Sequence, residues 1–250
     1  MLQVLRRHVM DAWFPACIDT ERGGFHSFFD RKWKRIGPTD RMLEFQARQT
    51  RVCADFAIAF PNEGKWHEYA VHGLKNLRER MWDNERGGWF WRVAGDGMPL
   101  AGGTKHAHGT AYAVQAATQV FRATGLPEAL ELAETGVEWF DRHAHDDQFG
   151  GFHNWLTREG EVIRTPEQIP PGGDSLDPLG HDVGLKDVNV HGDWFETLVD
   201  MGEVSGHPRI KPLRDELGEI YLNRATTSRG AVHYAFSENW VPEPLSLIHI

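Results

Sequence analysis

Apolar residues recur at every third or fourth position through most of this sequence, and that spacing predicts amphipathic helices. Proline- or glycine-containing turns join the helices in pairs, and between the pairs apolar and polar residues alternate as they do in β-hairpins. Asp40 and Thr104 are placed where they would be helix N-caps. We predict helices over 2–17, Asp40–Phe60, Trp66–Met81, Thr104–Phe121, Leu130–Phe140, about 190–204 and about 210–223.

The alternating stretches share a Gly-Gly-aromatic phrase that follows an acidic turn. It occurs at Gly23-Gly-Phe25, Gly87-Gly-Trp89 and Gly150-Gly-Phe152, in steps of 64 and 63 residues, with a degenerate copy around Gly230. A fixed period of this size indicates modules that bury their apolar faces against one another. We therefore predict one domain, 1–250, of all-α class. In it, successive two-helix modules form an α/α array or toroid, and the helices after each hairpin make one ring.

Composition narrows the functional classes. The net charge is −9 without a basic face, which argues against nucleic acid and anionic membranes as partners. No apolar run approaches the roughly 20 residues that span a bilayer. Cys17 and Cys53 lie in apolar helical patterns and are interpreted as buried thiols in a reducing compartment. The first residues show no signal-peptide pattern, so we predict a cytoplasmic protein.

Polar residues interrupt the apolar pattern near the start of each predicted helix of this ring. Because these starts are equivalent in the repeat, we expect their side chains to lie at one end of the ring, where helix N-termini also offer free N–H donors. The candidate residues are Arg48, His106, His108, Asn189, His191, Asp193 and Trp194.

Each candidate also has an ordinary structural explanation. Arg48 could form a buried ion pair, and the histidines could cap helices or fill the core. A metal held by His106, His108 and His191 is disfavoured because the spacing of the first two puts them on different helix faces. Asp193 with Glu196 could instead be a carboxylate pair of a glycoside hydrolase.

Several motifs resemble the N-acylglucosamine 2-epimerase superfamily, most closely its cellobiose 2-epimerase and mannose isomerase branches. The motifs occur in the family's order along nearly the whole chain. They are Gly23-Gly-Phe25, Ala47-Arg48, Lys105-His106-Ala-His108-Gly109, Lys186-Asp-Val-Asn189-Val-His191 and Val232–Trp240.

The resemblance implies an (α/α)6 barrel that interconverts sugars at C2 through a cis-enediolate, with histidine as the base and without cofactor or metal. It implies that Arg48 and His191 act in catalysis, while His106, His108, Asn189, Asp193 and Trp194 bind a mono- or disaccharide. His108 stands where relatives often have tyrosine. Homodimers are common in the family.

The end of the sequence departs from the family pattern. Relatives carry a Gly-His-Asp-x-x-Glu helix and a later catalytic histidine, and residues 245–250 lack that motif although His249 lies near its place. We expect about four of six repeats and a chain without the catalytic histidine pair. A non-catalytic carbohydrate-binding protein is the second alternative, beside the glycoside hydrolase. The Pro- and Gly-rich segment Thr165–Gly184 is a candidate lid.

Overall fold

Paired helices dominate the computed structural model, which describes residues 2–173 and 183–243 and the backbone of 247–248. None of the described helices combines the length and apolar character that a bilayer crossing needs. The helices are α1 (Leu2–Leu5), α2 (Asp11–Trp13), α3 (Leu43–Ala59), α4 (Lys65–Asn76), α5 (Ala107–Thr124), α6 (Pro127–Ala144), α7 (Val188–Gly202) and α8 (Ile210–Ile220).

Helices α3, α5 and α7 form the inner row of the array, since α5 packs against both of the others. Each has an outer partner, α4, α6 or α8, that follows it in the chain. Close approach depends on small residues in these helices: a Cβ on Gly136 of α6 would lie 2.4 Å from the buried ring of Trp89. The all-α prediction of stacked two-helix modules with an inner ring is confirmed.

Two-residue strands tie each module to the next at one end of the array. The strand before each inner helix pairs antiparallel with a strand from the hairpin that follows that helix and its outer partner, so that these three hairpins cover the starts of the inner helices that precede them. The strands are β1 (Arg41–Met42), β2 (Arg92–Val93), β3 (Lys105–His106), β4 (Trp155–Leu156), β5 (Lys186–Asp187), β6 (Val232–His233), β7 (Ala235–Phe236) and β8 (Leu247–Ile248). The pairs are β1–β2, β3–β4, β5–β7 and β6–β8.

The repeated acidic turn holds the strands that precede the inner helices in place. Its aspartate accepts hydrogen bonds from two backbone N–H groups of the turn and binds a buried cation of the strand that precedes the inner helix. Both glycines have positive φ in all three copies, which only glycine adopts without strain. The three buried pairs are Asp19–Arg41, Asp83–Lys105 and Asp146–Lys186. Removing one partner of such a pair costs about 3–5 kcal/mol.

Some predicted boundaries were wrong. The first helical stretch ends at Trp13, after a π-helical turn at Arg6–Met10, rather than at residue 17. Asp40 and Thr104 are not N-caps, because short strands intervene and the helices begin at Leu43 and Ala107. The propensity of these residues for caps was overridden by strand pairing between modules. Much of the predicted lid, and His249, lie outside the described residues.

Candidate functional site

Each inner helix carries a polar stripe on the face turned toward its neighbours in the row. The stripe occupies the second, sixth and ninth residues of each helix, a spacing that keeps side chains on one face. The resulting layers are Glu44, His108 and Asn189; Arg48, Tyr112 and Asp193; and Arg51, Gln115 and Glu196.

The sixth-residue layer is one connected chain of polar contacts across three helices. Arg48 Nη2 donates to the Tyr112 hydroxyl at 2.6 Å, and its guanidinium carbon lies 4.1 Å from the centre of that ring. The hydroxyl donates to Asp193 Oδ1 at 3.2 Å, and Asp193 Oδ2 lies 2.6 Å from His108 Nδ1. Three of the predicted residues, Arg48, His108 and Asp193, are therefore brought together.

The ninth-residue layer forms a second set of polar contacts, one helical turn further along the inner helices. Arg51 Nη1 donates to Gln115 Oε1 at 2.5 Å, and Arg51 Nη2 donates to Glu196 Oε1 at 3.2 Å. Glu196 is thus engaged in an ion pair below Asp193 rather than paired with it as a second free carboxylate. This arrangement does not resemble the two facing carboxyl groups that a glycoside hydrolase needs.

His106 lies beside this site in an aromatic enclosure. It is fully buried, with its ring centre 4.3 Å from that of Trp155 and 6.1 Å from that of Trp91. Glu44 accepts a hydrogen bond from Trp91, but its Oε2 and both ring nitrogens of His106 make none with the described residues. Trp155 Nε1 and Asn154 Oδ1 are also unpaired. Buried polar atoms are rarely left unpaired, so water or a polar ligand is expected here.

Asn189 occupies the second-residue layer with Glu44 and His108, and it is partly exposed. It lines a cavity of about 230 Å³ together with Asp193 and Tyr234. Its position at the start of α7 is compatible with the ligand-binding role predicted from the sequence, and that role stays a prediction.

His191 does not lie in this cluster. It is fully buried; its Nδ1 is 2.6 Å from the carbonyl oxygen of Asp187, and its Nε2 accepts the Phe152 N–H at 2.9 Å. Burial lowers the pKa of His191 to about 3, so the ring is neutral. The expectation that His191 converges with Arg48 and His108 on one hollow was wrong, because it is the fourth residue of α7 and points to the hairpin.

Trp194 is also part of the core. Its ring stacks on Phe140 at 4.5 Å with a 9° interplanar angle, and its Nε1 donates to the carbonyl of Ala107. These contacts leave no face of the indole for a sugar, so the predicted substrate contact is not supported by the geometry.

Sequence reasoning missed Tyr112 and Glu44 as site residues. The signal was available in the register of the repeat: Tyr112 and Arg48 are both sixth residues of inner helices, and Glu44 and His108 are both second residues. The sequence placed the starts of α3 and α5 three residues too early and the start of α7 about two residues too late, which concealed that equivalence.

Among the described residues, one acidic and histidine cluster has the spacing of a metal site: Asp146, His153 and Glu238. Its charge is already balanced, since Lys186 lies 2.6 Å from Asp146 and Arg164 lies 2.9 Å from Glu238. Burial, together with the charges of Lys186 and Arg164, lowers the pKa of His153 to about 4. The cluster therefore serves as a hairpin anchor in this arrangement.

Comparison with known proteins agrees with this architecture. Residues 23–159, more than half of the chain, match the model of the N-acylglucosamine 2-epimerase family. A D-mannose isomerase of Marinomonas mediterranea is 32% identical over 156 residues, which are 62% of this chain and 38% of that protein. A cellobiose 2-epimerase of Bacteroides fragilis is 26% identical over 165 residues, which are 65% of this chain and 41% of that protein.

The fold is shared with a solved cellobiose 2-epimerase of Spirochaeta thermophila at a TM-score of 0.83 and 22% identity, over 97% of this chain and 57% of that one. The chain spans about half the length, or less, of the curated relatives that it matches. On the family match and the shared architecture, this chain belongs to the N-acylglucosamine 2-epimerase family.

Proposed function

We propose that this chain forms the sugar-binding part of a 2-epimerase or aldose–ketose isomerase. In such an enzyme a proton at C2 of the open-chain sugar is removed and returned through a cis-enediolate. Membership of the family supports the reaction class, and the named relatives support mannose or a glucose-containing disaccharide as the substrate type.

The observation that carries this proposal is the group of unpaired buried polar atoms next to the chain of contacts from Arg48 to His108. Donors and acceptors alternate there: the Trp155 indole N–H donates, a Glu44 carboxylate oxygen accepts, and His106 can do either. A sugar hydroxyl donates and accepts at the same time, so a polyol satisfies such a mixed lining better than a simple anion or cation does.

Arg48 has the position and charge for an oxyanion partner. It is exposed, and among the described residues it contacts the hydroxyl and the ring face of Tyr112, so part of its donor fork is available to a substrate. A guanidinium beside the developing enediolate would stabilise charge that exists only in the transition state, an effect that is commonly about 10²–10³ in rate.

Product analysis tests the function. The protein is incubated with D-mannose and with cellobiose, and products are identified by chromatography and ¹³C NMR. We expect an epimer or a ketose isomer, and Arg48→Ala should lower kcat/KM by about 10²–10³. Arg78→Ala is the matched control, since Arg78 is on the surface and pairs only with Glu79 among the described residues.

The same experiment separates the alternatives. Release of glucose from cellobiose would contradict the proposal in favour of a glycoside hydrolase. Sugar binding by calorimetry without any conversion would instead indicate a non-catalytic carbohydrate-binding protein. Dimer formation, predicted from the family resemblance, is tested by sedimentation.

A further inference from the structure

The first hairpin carries a run of exposed basic residues at its tip. Four of the five residues in Arg31-Lys-Trp-Lys-Arg35 are cationic, and every residue from 31 to 39 is exposed. These four cations and the carboxylate of Asp30 leave the tip with a formal charge of +3, in a chain whose net charge is −9. The expectation of a chain without a basic face therefore does not hold at this hairpin.

The cations of the tip lack acidic partners. Among the described residues, Arg31, Lys32 and Lys34 make no ion pair. The neighbouring carboxylate of Asp30 is used by the backbone, because its Oδ1 accepts the N–H groups of Lys32 and Lys34 at 2.8 and 2.9 Å and so fixes the turn. Like charges this close repel one another, and an anionic partner would relieve that repulsion.

Exposed apolar side chains share the hairpin with these cations. Phe28, Trp33 and Ile36 are 44%, 48% and 47% exposed. Phe28 and Ile36 lie opposite each other, since the Ile36 N–H donates to the Phe28 carbonyl at 3.0 Å. Clustered exposed apolar residues are typical of a surface that contacts a partner. The hairpin thus combines positive charge with apolar area.

Trp33 has a backbone conformation that favours glycine. Its φ is 61°, and the equivalent turn position is Gly97 in the second hairpin and Gly160 in the third. Trp240 of the fourth hairpin also has positive φ, but it is buried and donates to the Gly150 carbonyl. Packing inside the protein covers only about half of Trp33, so it explains this strain in part, and contact with an external surface would explain the rest.

We propose that this hairpin tip, Arg31–Arg35 with Phe28 and Ile36, docks on the surface of a membrane that contains anionic lipids. The lipid phosphate and carboxylate groups bind the cations, and Trp33 lies among the headgroups, where tryptophan is favoured. Each lysine or arginine near such a surface strengthens partitioning about fivefold. The acidic remainder of the chain opposes docking only weakly, because charges more than about 8 Å apart are largely screened at physiological ionic strength.

A bilayer surface fits this patch better than a nucleic acid does. Proteins that bind single strands line a groove with cations along the backbone, whereas here the cations occupy one tight turn. Phe28 and Ile36 also gain little from a phosphate backbone, while the boundary between headgroups and acyl chains takes up apolar side chains.

Vesicle sedimentation tests the proposal. We expect the protein to bind vesicles of phosphatidylcholine with phosphatidylserine at low salt, to be released at high salt, and to bind pure phosphatidylcholine weakly. Lys32→Ala/Lys34→Ala should lower partitioning about 30-fold. Lys211→Ala/Arg214→Ala is the matched control: it changes the net charge equally on α8, where both residues pair with Asp215, and should bind like wild type.

Trp33→Gly separates the aromatic contribution from the charges. Two other hairpins have glycine at this turn position, so we expect the variant to fold, as checked by urea unfolding. Its partitioning to the anionic vesicles should fall about tenfold, because the exposed part of the indole no longer leaves water on docking. Partitioning equal to that of wild type would overturn the role of Trp33.

Three results would overturn the proposal as a whole. They are no binding to the anionic vesicles at low salt, equal binding to both kinds of vesicle, and a Lys32→Ala/Lys34→Ala protein that binds as well as the α8 control. A labelled single-stranded DNA oligonucleotide is titrated in parallel by fluorescence anisotropy. Binding to the oligonucleotide but not to the vesicles, lost in the same double variant, would overturn the membrane as partner in favour of nucleic acid.

Discussion

Replacement of His191 separates its structural role from the catalytic role that the family resemblance implies. The ring lies between Phe152 and Trp240 under Gly151, and it accepts the buried N–H of Phe152. In α3 the equivalent fourth residue is Gln46, which accepts the Phe25 N–H and donates to the Phe25 carbonyl. Glutamine is therefore a side chain that this position of the repeat already uses.

These contacts determine how much stability each substitution of His191 should cost. His191→Ala leaves the Phe152 N–H without an acceptor, which costs about 1–3 kcal/mol, and it opens a void between two aromatic rings. We expect a total loss of about 3–5 kcal/mol, and so a melting temperature lower by roughly 10 °C in a domain of this size. His191→Gln keeps an acceptor for that N–H, and we expect a loss of about 1 kcal/mol.

The assay is urea unfolding followed by tryptophan fluorescence, together with sugar binding by calorimetry. Because the folded-state pKa of His191 is about 3 and an unfolded histidine titrates near 6.5, its neutral form stabilises the protein above pH 6.5. That contribution is lost as the pH falls from 6.5 toward 3, and His191→Gln should flatten the loss. Burial lowers the pKa of His153 to about 4, so some acid sensitivity should remain.

Three results would refute this reasoning. His191→Ala could be as stable as wild type, or His191→Gln could be as unstable as His191→Ala. The third result is a His191→Gln protein that unfolds normally but no longer binds or converts sugar; that would return His191 to the site.

Three further predictions concern the hairpin end of the array. Glu216, with Asp147, raises the pKa of His145 to about 9. Protonated His145 should therefore stabilise the protein fully below pH 6.5, and this stabilisation should be lost as the pH rises to 9. In thermal melts, His145→Gln should abolish that pH-dependent loss. In urea unfolding, Gly151→Ala should lower the free energy of unfolding by about 1–3 kcal/mol more than Gly230→Ala does. Both glycines have positive φ, but only at Gly151 would the new Cβ lie 2.7 Å from neighbouring rings. Equal losses would contradict this prediction. In the same urea assay, Asp146→Ala should lower the free energy of unfolding by about 3–5 kcal/mol, because it leaves the buried Lys186 without its carboxylate partner. A loss below about 1 kcal/mol would contradict this prediction.

The sequence predicted the helix pairs, the hairpins and the repeat because each depends on local periodicity and on glycines that the turn geometry requires. It did not predict where the inner helices begin, since Arg41–Met42 and Lys105–His106 become strands only when a hairpin of the next module pairs with them. The register counted from the observed helix starts shows which side chains face the other inner helices. It puts Tyr112, which had no motif, level with Arg48 and Asp193, and it puts His191 at the fourth residue of α7, where it accepts a hydrogen bond from a hairpin N–H.

The repeat explains why neighbouring polar residues of one motif divide between structure and chemistry. The fourth residues of α3 and α7 lie beneath a hairpin and have a geometric role: Gln46 and His191 each accept a hydrogen bond from a hairpin backbone N–H. The sixth residue lies on the face shared by the inner helices, where no backbone group needs it, and it is free to differ chemically. At this position the three inner helices carry an arginine, a tyrosine and an aspartate. The two charges in this layer cancel, and its hydrogen bonds can be replaced by hydrogen bonds to a ligand. A ligand hydroxyl that enters between Arg48 and Asp193 can replace the bridging hydroxyl of Tyr112 without leaving either charge unpaired, which keeps the desolvation cost of binding low.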